Sequence, residues 1–213
     1  GGNNTSELLS DFSYFDLSKA AAILSASPYY SKPSQEGIYQ HYKVLAQATD
    51  KPIILYNVPG RTSSNVTAET TLRLANDFKN IAGIKEASGN MVQCMHIIKN
   101  APEDFLVTSG DDHLTLPLIA CGMDGVISVA ANCFPKDFCQ MVNHALAGDF
   151  EKARPLHYKL LDGNDLLFAE NNPAGVKAFL AELGIIANNL RLPLVPLSQP
   201  LHQKVQQFLA QLT

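Results

Sequence analysis

Three apolar segments of the chain end in polar groups that the segments do not need for folding. Tyr56 and Asn57 close residues 52–57 and run into Val58, Pro59, Gly60, Arg61 and Thr62. Lys85 closes residues 82–85 and runs into Glu86, Ala87, Ser88 and Gly89, while Gly110, Asp111 and Asp112 follow residues 105–109. A lysine at the end of an apolar strand has its charged form disfavoured by desolvation, which frees the amine to attack a carbonyl. An ordinary ion pair of Lys85 with Glu86 or Asp111 is the other reading, and the commoner fate of such a lysine. Tyr56 is either a proton-relaying phenol or a core tyrosine with a satisfied hydroxyl. Arg61, in a Pro-Gly turn, carries a planar fork suited to a carboxylate, or is simply solvated. Tyr29 and Tyr30 follow Pro28 at the end of an earlier apolar segment, at a reactive face or in an interface patch.

Other chemistries lack residues to carry them. None of the six histidines lies in an H-x-H or H-E-x-x-H arrangement, and no G-x-G-x-x-G or G-x-x-x-x-G-K-[ST] loop is present, so neither a metal nor a nucleotide is expected. Cys94, Cys121, Cys133 and Cys139 form no C-x-x-C pair and are expected to be buried or semi-buried free thiols. Lysine, tyrosine and arginine without metal or nucleotide point to carbonyl chemistry through an imine. The 16 Lys+Arg and 20 Asp+Glu, net −4, form no basic run that would attract nucleic acid or an anionic membrane. The longest apolar runs, residues 116–121 and 125–131, fall short of the ~20 residues of a membrane span. The first residues lack a basic stretch followed by an apolar one, so a cytoplasmic protein is expected.

The elements that must hold these groups alternate. Residues 22–26, 52–57, 82–85, 105–109 and 125–129 are too apolar for half-exposed strands and read as buried parallel ones. Helices are expected over 36–48, with Ser34 as cap, over 67–76, 91–99 and 112–121, and from Phe134 to Ala145 with Pro135 in the first turn. From Asp149 onward the strand pattern stops and only helices are expected, one running from Asn172-Pro173 to Gly184 and a last one over 201–212. This division predicts an α/β domain over 1–148 and a helical domain over 149–213. Strand-helix repetition makes either an open doubly wound sheet or a closed (β/α)8 barrel, and both place chemistry at the C-terminal strand ends. Five strands cannot close an eight-stranded barrel, so the count favours an open sheet or a barrel with strands outside this sequence.

The ordered blocks Pro28-Tyr29-Tyr30-Ser31-Lys32-Pro33-Ser34-Gln35-Glu36-Gly37, Leu55-Tyr56-Asn57-Val58-Pro59-Gly60-Arg61-Thr62, Gly83-Ile84-Lys85-Glu86-Ala87-Ser88-Gly89, Ser109-Gly110-Asp111-Asp112 and Gly125-Val126-Ile127-Ser128-Val129 together resemble the dihydrodipicolinate synthase family along the whole chain. The resemblance implies a (β/α)8 TIM barrel, with strands four to eight in this sequence and the first three absent, and a C-terminal helical domain. It implies a Schiff-base lyase condensing pyruvate with L-aspartate 4-semialdehyde to 4-hydroxy-tetrahydrodipicolinate, on the route to lysine and diaminopimelate. No cofactor is implied beyond the covalent pyruvate imine.

By resemblance Lys85 forms that imine, Tyr56 relays protons, and Tyr30 completes the relay across a dimer interface. Arg61 holds the semialdehyde carboxylate, the Ile127 carbonyl faces pyruvate, and Tyr29 matches a position near an effector site. A homo-oligomer, a dimer of dimers, is implied as well. N-acetylneuraminate lyase and keto-deoxy-sugar aldolases share the tyrosine and lysine, but the Gly60-Arg61-Thr62 continuation and the Pro33-to-Gly37 block favour the short acidic aldehyde. Gly1 to Asn4 match the end of strand three, so the expectation is an N-terminally shortened chain. The rival expectation is a catalytically silent fragment that acts only by association through an exposed strand edge.

Overall fold

Five parallel strands run side by side in the order in which the chain makes them: β1 (Ile23–Ala26), β2 (Ile53–Asn57), β3 (Ile81–Glu86), β4 (Leu106–Ser109) and β5 (Gly125–Val126). The structure, a computed structural model, describes residues 1–212. A doubly wound sheet reverses its winding at a switch point, so strictly sequential order is the order of a barrel wall. The helices are α1 (Thr5–Tyr14), α2 (Gln35–Gln47), α3 (Pro59–Thr62), α4 (Ala68–Asp77), α5 (Met91–Asn100), α6 (Thr115–Ala120), α7 (Pro135–Leu146), α8 (Phe150–Phe168), α9 (Ala174–Glu182) and α10 (Gln199–Leu212). Two units divide them: Gly1–Asp111 with Cys121–Ile127, and Asp112–Ala120 with the described residues from Ser128 onward.

The first unit is the sheet with its helical cover. Ile38, Tyr42 and Leu45 of α2, Leu74 of α4 and Ile97 of α5 are fully buried, as are Ile53, Leu55 and Ile84 of the strands. The helices start where short polar side chains can accept the otherwise unpaired N–H groups. Ser34 Oγ accepts from Gly37 N at 3.2 Å, Thr67 Oγ1 from Thr70 N at 3.2 Å, and Asn90 Oδ1 from Gln93 N at 3.0 Å. Gly83 permits β3 and β4 to close on one another, since a Cβ there would come within 2.5 Å of the Leu106 carbonyl oxygen. Gly1 to Asn4 form no strand; Asn4 instead caps α1, accepting from Ser6 N at 3.1 Å.

The second unit is helical, with α6 and α8 packed on α7, and α9 and α10 on α8. Its centre is a cluster of edge-to-face rings, Phe134, Phe179 and Phe208, with centroids 5.6 to 6.1 Å apart. Edge-to-face contact is the arrangement that aromatic quadrupoles favour. The expected strand over 125–129 stops after Val126. The Asp112 carboxylate accepts from Val129 N at 3.1 Å and Ala130 N at 2.9 Å, and the chain turns into a 3-10 helix at Ala130–Asn132.

Candidate active site

Parallel register pairs Tyr56 with Lys85 and Asn57 with Glu86 at the C-terminal ends of β2 and β3. Because successive side chains leave a strand on opposite faces, the first pair shares one face and the second pair the other. Lys85 Nζ lies 4.3 Å from the centroid of the Tyr56 ring, and both side chains are half-buried. Burial raises the Tyr56 phenol above its ordinary pKa, while the nearby Arg61 charge pulls it back. The phenol therefore stays a proton donor through neutral pH.

Glu86 is not the ion-pair partner that its place in the sequence suggests. Its carboxylate faces away from Lys85 and accepts from Ser88 N at 2.7 Å, Asn57 Nδ2 at 2.9 Å and Gln93 Nε2 at 2.9 Å. Gly110 lies on the other side of Lys85. A Cβ there would stand 2.8 Å from Lys85 Cε and 2.8 Å from Ala87 Cβ, so the lysine stem runs through space that only glycine leaves open. The available clue for Glu86 and Asn57 was the alternation itself, which sends the residues after Lys85 and Tyr56 to the face opposite theirs.

The loops after the strands bring the remaining candidates to the same end of the sheet. Arg61 is the third residue of α3, exposed, on a short helix closed by Ser63 in the left-handed region at φ 56°. Tyr30 N donates to the Thr62 carbonyl at 3.3 Å, which ties the loop after β1 to that helix. Tyr30 itself is 87% exposed with φ 67°, and Tyr29 is 44% exposed. Ile127 follows β5 and its N–H donates to Ser109 O at 2.9 Å, at the end of β4. Lys85, Tyr56, Arg61 and the double tyrosine thus gather at the ends of β1 to β3, and Ile127 sits two strands over from Lys85.

Among the described residues, no three His, Cys, Asp or Glu side chains group as metal ligands, and no helix is long and apolar enough to cross a membrane. The thiols divide against expectation: Cys94 and Cys133 are buried, while Cys121 and Cys139 are exposed. Burial pushes both inner thiols up to about 12, so neither is a thiolate at neutral pH.

Residues 1–212 match the Dihydrodipicolinate synthetase family. The chain belongs to that family. The family's relatives include the 4-hydroxy-tetrahydrodipicolinate synthase of Flavobacterium psychrophilum, 52% identical over the whole of this chain and 73% of the relative. The protein of the same name from Phocaeicola vulgatus is 57% identical over 92% of this chain and 66% of the relative. Among solved structures, dihydrodipicolinate synthase from Thermotoga maritima superposes with a TM-score of 0.96 at 42% identity, covering all of this chain and 73% of that one. A monomeric dihydrodipicolinate synthase variant gives 0.96 at 42% identity over all of this chain and 72% of its own. The parallel sheet and its helices accordingly have the TIM-barrel fold of the dihydrodipicolinate synthetase family.

Proposed function

We propose that Lys85 is the amine that forms the Schiff base with pyruvate, in an enzyme condensing pyruvate with L-aspartate 4-semialdehyde to 4-hydroxy-tetrahydrodipicolinate. The observation that carries the reading is the half-buried Lys85 amine 4.3 Å from the Tyr56 ring at paired strand ends. Nζ bonds to the pyruvate carbonyl carbon, and the carbonyl oxygen leaves as water once a proton reaches it. Tyr56, a phenol kept protonated by burial, is placed to supply and retrieve that proton. The imine then allows the pyruvate methyl to lose a proton and attack the aldehyde carbon, so the chemistry takes no external cofactor. Arg61, exposed beside this pair, is suited to the semialdehyde carboxylate. Ile127 and Tyr30 complete the reading, the first through its backbone carbonyl and the second from a partner protomer.

The larger frame is part of the same proposal. The five strands are the fourth to eighth of the barrel, which fits a chain matching 73% of the length of the Flavobacterium relative. Residues 1–148 belong to the barrel and 149–213 to a helical domain. A homo-oligomer built from dimers, an effector contact at Tyr29 and a cytoplasmic setting in lysine and diaminopimelate biosynthesis follow from the family reading. Incubation with pyruvate and borohydride tests its core, because reduction traps the imine permanently. A pyruvate-sized mass gain that disappears in Lys85→Ala is expected. No gain, or the same gain in the variant, overturns the assignment.

A further inference from the structure

Behind Lys85 and Tyr56, on the opposite face of the same strand ends, lies a buried carboxylate that the reaction does not use. Glu86 is 1% exposed and Asn57 is fully buried. The groups that bond the Glu86 oxygens are N–H donors of a backbone amide and two side-chain amides, so the site is built around an acceptor-only group. A carboxylate so far from water is tolerated only because these donors replace its hydration. Each donor comes from a different element: Asn57 from the end of β2, Gln93 from the first turn of α5, and Ser88 from the turn after β3.

The orientation of Asn57 is fixed, because its Oδ1 accepts from the backbone N–H of Val66 at 2.9 Å, which leaves Nδ2 to donate to Glu86 and to Asn65 Oδ1 at 2.9 Å. Asn65 Nδ2 donates in turn to Gln93 Oε1 at 3.0 Å, closing a ring of amides around the carboxylate. The backbone adds one clasp, Ala87 N to Asn57 O at 2.8 Å. Asn57 is covalently next to Tyr56 and Glu86 next to Lys85. Whatever fixes the second pair therefore fixes the first.

We propose that Glu86 and Asn57 are positioning residues: their buried hydrogen bond sets the register and spacing of the β2 and β3 ends, and thereby holds Lys85 against Tyr56. The proposal rests on the reading of Lys85 as the imine-forming amine. It differs from a purely stabilising role in one respect. A network that only stabilises would change the unfolding midpoint and leave the rate of the folded protein alone, whereas a misplacement of about 1 Å in reacting groups costs about 10²-fold in rate.

Donor counting supplies the decisive variants. In Glu86→Gln one carboxylate oxygen becomes an NH2 that meets a donor whichever way the amide turns, the Ser88 N–H on one side or the Asn57 and Gln93 amides on the other. In Asn57→Asp combined with Glu86→Gln the carboxylate moves across to β2, and every N–H again finds an acceptor once the Asn65 and Gln93 amides turn over. The experiment measures imine trapping by borohydride against pyruvate concentration for wild type and both variants, well below their separately measured unfolding midpoints. In Glu86→Gln the saturating trapping rate is expected to fall about 10²-fold, with a much smaller change in the pyruvate concentration that half-saturates it. The double variant is expected to recover to within about tenfold of wild type, since coupled neighbours are non-additive. If Glu86→Gln does not fold, the double variant decides alone: folded and trapping supports the proposal, folded and slow overturns it. Wild-type trapping by Glu86→Gln overturns the positioning role while leaving Lys85 in place. Absence of any adduct in the wild-type protein overturns the Lys85 reading and this proposal with it.

Discussion

Gly110 is where one added methyl group would bear directly on the amine proposed to form the imine. A Cβ at this position would meet Lys85 at Cε and Cγ, 2.8 and 3.1 Å away, and Ala87 Cβ at 2.8 Å. The lysine stem escapes this contact only by moving off the Tyr56 ring, and because Ala87 is held in the turn after β3, its contact is relieved only by a shift of the backbone. Gly110→Ala is therefore expected to slow imine trapping by about 10- to 10²-fold. Its stability loss is expected to be about 1–3 kcal/mol, the usual cost of overpacking. Trapping rate and unfolding midpoint measured on the same preparation check both, and an unchanged rate would show that the stem has room the geometry denies it. Lys85 and Tyr56 stood out in the sequence as polar groups at the ends of apolar runs, and Arg61 as a planar cation in the Pro-Gly turn that follows one. Gly110 did not, because its importance lies in what it touches across the chain, and alternation along β2 and β3 shows only that Asn57 and Glu86 face away from Tyr56 and Lys85, not that they bond each other.

Elements were more legible than residues, because apolar periodicity and caps are local. Ser34, Thr67 and Asn90 cap the helices that follow them, and β2 and β4 begin one residue inside the expected segments. What the pattern could not supply were events decided at a distance. The fifth strand stops at Val126 because the Asp112 carboxylate, far upstream, captures the N–H groups of Val129 and Ala130. Helix α1 has no strong apolar stripe, and Leu8 is its buried residue. Its docking is polar: Thr5 Oγ1 bonds His41 Nδ1 on α2 at 2.8 Å, leaving His41 Nε2 buried without a hydrogen-bond partner.

That contact sets a pH dependence with a definite sign. Burial lowers His41 from 6.5 to about 4, so between these values the unfolded chain binds a proton that the folded chain refuses. Stability is then unaffected above pH 6.5 and falls as pH drops toward 4, by at most about 1.4 kcal/mol per pH unit. His157, also lowered by burial and then by the charge of His113, acts in the same direction. Urea midpoints between pH 7.5 and 4.5 are expected to decline, and His41→Gln is expected to flatten the decline without removing it. An identical slope in that variant would show that His41 protonates as easily in the fold as outside it.

At the scale of the whole molecule, the proposed relay between protomers turns on Tyr30. A bulky residue at φ 67° with 87% of its surface exposed is strained by about 1–3 kcal/mol and gains nothing from packing within its own chain. The fold nevertheless pins this conformation, through the bond from Tyr30 N to Thr62 O beside Arg61. Strain kept at an exposed aromatic fits a side chain whose partner is another protomer, as the proposed relay requires. In an isologous dimer each site would combine Lys85 of one chain with Tyr30 of the other. Lys85→Ala and Tyr30→Phe should then each be nearly inactive alone, for different reasons. Mixed in equal amounts and allowed to exchange, about half the dimers are hybrid, and each hybrid holds one site with both native residues. Turnover should recover to about a quarter of wild type, and borohydride should label only the Tyr30→Phe chain. Dilution below the dimer dissociation constant should abolish the recovery. A mixture no more active than its components would put Tyr30 outside the partner's site, and the strain at φ 67° would then need another cause.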